Sequence, residues 1–210
     1  DMQKTSNQIK YQNNLLMYTK VWSNNHNSSK IDSAINVLNN GGIILYPTET
    51  IWAIGCKSIL KNSVKRVYDI KKRPYNMPLI NLIDSIKNIP KYVENLNIKD
   101  FELIKKNHYY PTVIYPNCKS KYRFLANDLN EISFRISPVN ELKEIISKLD
   151  SPIISSSANI SGESFPESLD NISKSIINSV DLILNFEVKS SGIPSEVIKI
   201  NNGKIEYLRK

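Results

Sequence analysis

The sequence predicts an α/β domain with a mixed, twisted sheet flanked by helices. Three observations predict it. Short apolar runs of strand character alternate along the chain with helical stripes. The last two runs flank Asn202-Gly203, the signature of a two-residue hairpin turn. The 210 residues suit one domain with room for a short appendage.

The elements follow in chain order. Residues 1–29 are polar and rich in Asn, Gln and Ser, and read as a mobile or loosely packed extension before a domain over 30–210. Ile31, Ala34, Ile35 and Leu38 fall at i, i+3, i+4 and i+7, the apolar stripe of a helix. Ser29 with Asp32 predicts its N-terminal cap, and Gly41-Gly42 its end. A buried strand is expected over 43–46, stopped by Pro47. A second helix is expected over 63–71 with Val64, Val67 and Tyr68 inward, limited by Pro74. Strands follow at 79–83 and 112–115, with broken helix across 84–106 between them. Ile132, Phe134 and Ile136 alternate with Ser133 and Arg135, so Arg135 should point away from the apolar face of that strand. Leu142, Ile145, Ile146 and Leu149 form a helical stripe. A strand over 152–155 is expected to run into a polar loop. Ile172 and Ile176 mark a further helix, 182–184 a further strand, and 196–200 with 204–208 the closing hairpin.

Composition removes several classes. Two cysteines, Cys56 and Cys118, are too few for a disulfide scaffold, and with His26 and His108 they form no zinc-ligand spacing, so no metal site is expected. No apolar run approaches the ~20 residues that span a bilayer, so a cytoplasmic protein without membrane contact is expected. The net charge of +8 favours polyanionic partners, but the lysines are scattered and make no block.

Four polar segments sit where strands end, the usual place for sites in α/β folds. Pro47-Thr48-Glu49-Thr50-Ile51-Trp52-Ala53-Ile54-Gly55-Cys56 puts two hydroxyls and a carboxylate after a buried strand. Lys71-Lys72-Arg73-Pro74, with Met77-Pro78-Leu79, holds cations between two prolines. Stiff cations suit phosphate or carboxylate, and arginine can pair with either in bidentate fashion. Ser155-Ser156-Ser157-Ala158-Asn159-Ile160-Ser161-Gly162 crowds small donors, as an anion-binding nest does, although no Walker loop is present. Gly192-Ile193-Pro194-Ser195 places one hydroxyl before the hairpin. Each segment alone reads equally as a turn, a helix-ending basic run or a serine-rich connector.

Together, in this order, the four resemble the YrdC-like family, the threonylcarbamoyl-AMP synthases, in their short form. That family reads Pro-Thr-(Asp/Glu)-Thr, Lys-x-Arg-Pro with Pro-Leu beyond, a Thr-bearing strand, an Arg-bearing strand, Ser-(Thr/Ser)-Ala-Asn-x-Ser-Gly and Pro-Ser-(Thr/Glu)-(Val/Ile). The counterparts here span roughly residues 31–208.

The resemblance implies a YrdC-like twisted mixed sheet flanked by helices, with a concave basic surface, and a nucleotidyltransferase, an L-threonylcarbamoyladenylate synthase. It would join L-threonine, bicarbonate and ATP into threonylcarbamoyl-AMP and pyrophosphate. A separate tRNA-modification transferase would accept the adenylate to make N6-threonylcarbamoyladenosine in tRNA. Mg2+ would accompany ATP, with few protein ligands. Carried over by position, Lys71 and Arg73 form the catalytic clamp on phosphate and carboxylate. Thr48, Thr50, Arg135 and Ser195 contact threonine. Thr112, Ser155, Ser157 and Asn159, with Lys71 and Arg73, contact ATP.

The departures are specific. Trp52-Ala53-Ile54-Gly55 replaces Tyr-Gly-Leu-Gly, Met77 stands where many members carry Lys or Asn, Leu82 where some carry His, and Tyr109-Tyr110-Pro111-Thr112 replaces Trp-Pro-Gly-Pro-x-Thr. A competing reading is an RNA-binding module of the same fold, contacting tRNA and lacking synthase activity. A third is a carbamoyl-adenylate domain of hydrogenase-maturation type; those domains sit in much longer chains with zinc-finger-like cysteines, and the two cysteines here count against it.

Overall fold

The computed structural model describes residues 27–96, 110–201 and 204–209. Among them the order is α1 (Asn27–Asn39), β1 (Ile44–Tyr46), β2 (Ala53–Gly55), α2 (Lys61–Lys71), β3 (Ile80–Ile83), β4 (Thr112–Tyr115), β5 (Ile132–Ile136), α3 (Asn140–Leu149), β6 (Ile153–Ser157), α4 (Lys174–Ser179), β7 (Leu182–Ile183), β8 (Val197–Asn201) and β9 (Lys204–Arg209). Short 3-10 turns lie at Ile86–Lys91, Ser120–Leu125 and Leu169–Asn171. Most of the extension, the 97–106 part of the broken helix expected over 84–106 and the Asn202-Gly203 turn lie outside the described residues; over 84–96 the only helical piece is the Ile86–Lys91 turn, which contains Pro90 and does not break at it.

The strands form one mixed sheet in the order β7-β1-β2-β6-β3-β5-β4-β8-β9. β1–β7, β3–β5 and β4–β8 are parallel and the other pairs antiparallel. Alternation decides which face each residue serves. Ile43, Leu45, Ile54, Phe134 and Ile154 join the apolar cluster packed by α2 and α4. Ile44, Tyr46, Ala53, Leu82 and Ile153 join the cluster packed by α1 and α3.

The expected helices form for the expected reasons. Ile31, Ala34 and Leu38 are buried on α1, and Leu142, Ile145, Ile146 and Leu149 on α3. Gly41 takes φ +81 and donates to Leu38 O, while Gly42 donates to Val37 O, closing α1 with a left-handed turn. α1 begins at Asn27, however, so Ser29 lies inside its first turn and is not the N-cap. α2 ends as Lys72 enters the left-handed region with φ 50, two residues before Pro74.

Two departures from expectation concern the site. β2 was not legible: a three-residue strand of Ala, Ile and Gly lies inside what reads as a polar turn. It forms because Gly55 lets the chain pass β6 closely; a Cβ there would sit 1.8 Å from Ile154 O. In consequence Ser155, Ser156 and Ser157 belong to β6, paired to β2 and β3, and not to a loop. Strand pairing on both sides overrides the low strand propensity of serine.

Candidate active site

The face under α1 and α3 is covered at one end only. The registers Leu82↔Ile153, Leu82↔Arg135 and Arg135↔Thr112 place these four side chains on that face, and Ile80↔Ser155 and Ala53↔Ser157 extend it. Past the helices the face opens into a cleft lined by Thr48, Thr50, Ile51, Ala53, Arg73, Pro78, Leu79, Ile80, Arg135, Ser155, Ser156, Ser157, Phe165, Pro194, Ser195 and Arg209. Seven sequence-predicted residues therefore meet there: Thr48, Thr50, Arg73, Arg135, Ser155, Ser157 and Ser195.

The 48–51 turn is built by Thr48. Its hydroxyl accepts from the backbone N–H of Thr50 (3.2 Å) and Ile51 (3.1 Å) and donates to Ile51 O (2.7 Å). That leaves Thr50 Oγ1, 2.8 Å from Thr48 Oγ1, to face Arg135 Nη1 at 3.4 Å. The turn is latched from outside: Glu49 O accepts from Ser191 N, and Thr50 O from Gly192 N and the Ser190 hydroxyl. The first and fourth polar segments are thus one wall.

Arg135 points off the apolar face of β5, as its alternation predicts, yet it is buried, 7% exposed. Its Nε donates to Tyr110 O at 2.8 Å, and Nη2 pairs with Glu49 Oε1. Burial pulls its proton affinity down, and the Glu49 carboxylate opposes that. Arg73 leaves the end of α2 and donates through Nε to Met77 O (3.1 Å) and through Nη2 to Pro78 O (3.3 Å), closing the 73–78 loop. The Met77 side chain itself is exposed.

Three predicted residues lie behind the wall. Thr112 is buried with Oγ1 2.8 Å from Ser195 Oγ. Lys71 is 1% exposed, its ammonium held by the carbonyl and hydroxyl of Ser157 and by the carbonyl (2.7 Å) and side-chain oxygen (3.3 Å) of Asn159. Burial, with Arg73 nearby, lowers its pKa to about 8. Asn159 passes the connection on, donating through Nδ2 to Glu163 O at 2.6 Å.

Three contributors were not assigned from sequence. Glu49 lay within a quoted motif and needed only its partner. Arg209 reaches the cleft from β9, where a register shift at Val197/Ile198 brings Val197 opposite Arg209 while Ile198 faces Tyr207. Its Nε and Nη2 donate to Ser195 O at 3.0 and 2.6 Å. Counting outward from the Asn-Gly turn could have found its strand but not the shift. Phe165 follows the small-residue segment with no periodic signal.

The described residues contain no group of three His, Cys, Asp or Glu side chains arranged as a metal site. No helix among them is long and apolar enough to cross a membrane. Both cysteines are free and buried, and burial raises the proton affinity of each.

The arrangement can gather anions: three guanidinium groups and several hydroxyls line one cleft. The sequence model of the Sua5/YciO/YrdC family, described as "Telomere recombination", matches residues 36–210. The chain is 26% identical over 181 residues to the Threonylcarbamoyl-AMP synthase of Psychromonas ingrahamii, covering 84% of this chain and 95% of that one. It is 27% identical over 184 residues to the enzyme of that name from Pyrococcus abyssi, covering 86% of this chain and 53% of that one. Among solved structures, P. abyssi Sua5 complexed with L-threonine superposes with a TM-score of 0.77 at 26% identity, over 86% of this chain and 53% of that one. Escherichia coli YciO, at 23% identity, has a TM-score of 0.71 over 90% and 92% of the two chains and shares the fold.

Proposed function

Because the chain belongs to the Sua5/YciO/YrdC family, we propose that it condenses L-threonine, bicarbonate and ATP into threonylcarbamoyl-AMP, releasing pyrophosphate and water. The adenylate would serve a separate tRNA-modification transferase. The observation that carries this reading is the convergence of Arg73, Arg135 and Arg209 with Thr50 and Ser195 on one cleft. The curated relatives named Threonylcarbamoyl-AMP synthase support it.

The chemistry explains the residue types. A carbamate must approach a triphosphate of like charge, and fixed cations in a partly dry cleft offset that repulsion better than water does. The carbamate oxygen attacks the α-phosphorus and pyrophosphate leaves, so no protein nucleophile is required and positioning dominates. Arg73 faces the phosphates, assisted by Ser155 and Ser157. Thr50, Ser195 and Arg135 face threonine. Glu49 compensates the Arg135 charge, so Arg73 and Arg209 supply the uncompensated positive charge.

Lys71, Thr112 and Asn159 act from behind: Lys71 and Asn159 shape the β6 exit, and Thr112 orients the Ser195 hydroxyl. Thr48 holds the turn that presents Thr50. Among the described residues the cleft lining includes no carboxylate, so these residues offer no anionic side chain to Mg2+, and the ion would be carried on ATP's own oxygens.

The test is incubation with ATP, threonine and bicarbonate. Threonine-dependent pyrophosphate release, with the adenylate seen by mass spectrometry, is expected. No such release at high enzyme concentration rejects the proposal. Salt-sensitive tRNA binding without synthesis would instead favour the RNA-binding module, for which the charge of +8 speaks.

A further inference from the structure

We propose that Phe165 is the platform on which the purine base of the nucleotide stacks; this rests on the nucleotide reading given above. Phe165 lines the cleft and is 43% exposed, although an unpartnered phenyl ring in water is unfavourable. Among the described residues lining the cleft it is the one aromatic side chain. The rest of the lining offers guanidinium groups, hydroxyls and small apolar groups, which suit phosphates, a sugar and an amino acid. A flat heteroaromatic base requires a π-face, and base–aromatic stacking contributes about 1–3 kcal/mol per base.

The position of the ring is built rather than incidental. The loop beyond β6 is tied down at each step towards it. The Lys71 ammonium holds both oxygens of Asn159, Ser161 N donates to Lys71 O at 2.9 Å, and Glu163 N donates to Ile160 O at 3.0 Å. Asn159 Nδ2 holds Glu163 O at 2.6 Å. Immediately after the ring, Pro166 is buried. The exposed ring therefore stands between two anchored points, and its entropy cost on stacking is correspondingly small. The geometry also gives the buried Lys71 a reason to be a cation. Three N–H donors organise the carbonyl-rich corner that sets the loop, without a place for the ammonium on a phosphate.

This predicts a split between base and phosphate recognition. Binding of ATP, AMP and inorganic pyrophosphate is measured by calorimetry for the wild type, Phe165→Ala, Phe165→Leu and Phe165→Trp. Phe165→Ala should weaken ATP and AMP by about ten- to a hundredfold and leave pyrophosphate within about twofold. Phe165→Leu, which keeps bulk but lacks a π-face, should resemble Ala. Phe165→Trp should retain affinity, and its added indole fluorescence should quench when AMP binds. Undiminished AMP binding by Phe165→Ala, or full recovery by Leu, overturns the stacking role while leaving the nucleotide reading in place. Equal weakening of AMP and pyrophosphate also overturns it, since that pattern marks a general loss of the cleft. Failure of the wild type to bind ATP and AMP rejects the nucleotide reading itself, and the stacking role with it.

Discussion

Along β6 one face of the sheet changes character within two residues. Ile153 is sealed in the apolar cluster under α1 and α3, whereas Ser155 and Ser157, on the same face, line the cleft. The neighbouring strands repeat the contrast, with Leu82 in register with Arg135 and Ala53 with Ser157. The difference is cover. Where two helices roof the sheet, side chains must be apolar, because an unsatisfied polar group there costs about 1–3 kcal/mol. Where the roof stops, the same pleat presents hydroxyls and guanidinium groups to solvent and ligand. One half of the face holds the fold together and the other half is free to do chemistry.

That contrast can be broken from either side. The largest stability effect is expected at the boundary, from Glu49→Gln. It strips the buried Arg135 guanidinium of its counter-charge, and losing a hydrogen bond between charged groups costs about 1.5–3 kcal/mol; urea unfolding would show it, with Glu49→Asp recovering part. In the open half, Arg73→Ala should lower turnover by about 10²–10³-fold, the scale for losing one preorganised donor. Its thermal midpoint should stay within a few degrees, since its bonds close only the local 73–78 loop. In the closed half, Ile153→Val should do the reverse, costing about 0.5–1.5 kcal/mol of stability with turnover per folded molecule unchanged. A loss of activity in Ile153→Val at full folding would erase the division between the halves.

Lys71 sharpens the comparison through pH. Its pKa is about 8 in the fold against an ordinary value of 10.5, so the unfolded chain binds the proton more tightly. Stability from this group is therefore smallest below pH 8 and rises with pH between about 8 and 10.5. Lys71→Met should remove that rise, which urea midpoints at pH 7.5 and 10 would reveal. The exposed Lys91–Asp150 pair marks the lower end of the scale: solvent screens it, so Lys91→Met should leave the urea midpoint unchanged within error.

The helices and most strands were legible because their apolar spacing is what burial selects. Leu142, Ile145, Ile146 and Leu149 leave no other reading. The segments of the site were legible as well, but as separate turns. What escaped is what depends on distant partners. β2 exists because β1 and β6 flank it, and Ser155–Ser157 are strand because β2 and β3 pair with them. Thr112 and Lys71 could be seen as polar residues near the site, yet their burial behind it follows from the register of β4 and β5 and from the corner at Asn159. Arg209 required a bulge that no local signal announces.

The latch between the 190–192 loop and the Thr48–Thr50 turn, with Arg209 bound to Ser195, carries a consequence for how the molecule comes into being. One wall of the cleft is made from the beginning of the described chain and from its last hairpin, brought together across every element between. During synthesis the sealed half of the sheet needs the chain from α1 to β7 and Phe186, whereas the open half also needs the 190–192 loop, Ser195 and Arg209. A growing chain is therefore expected to lack this wall of the cleft until its last described strands are made. The cleft is completed when β8 and β9 dock, so its long-range closure is expected to be among the latest events of folding.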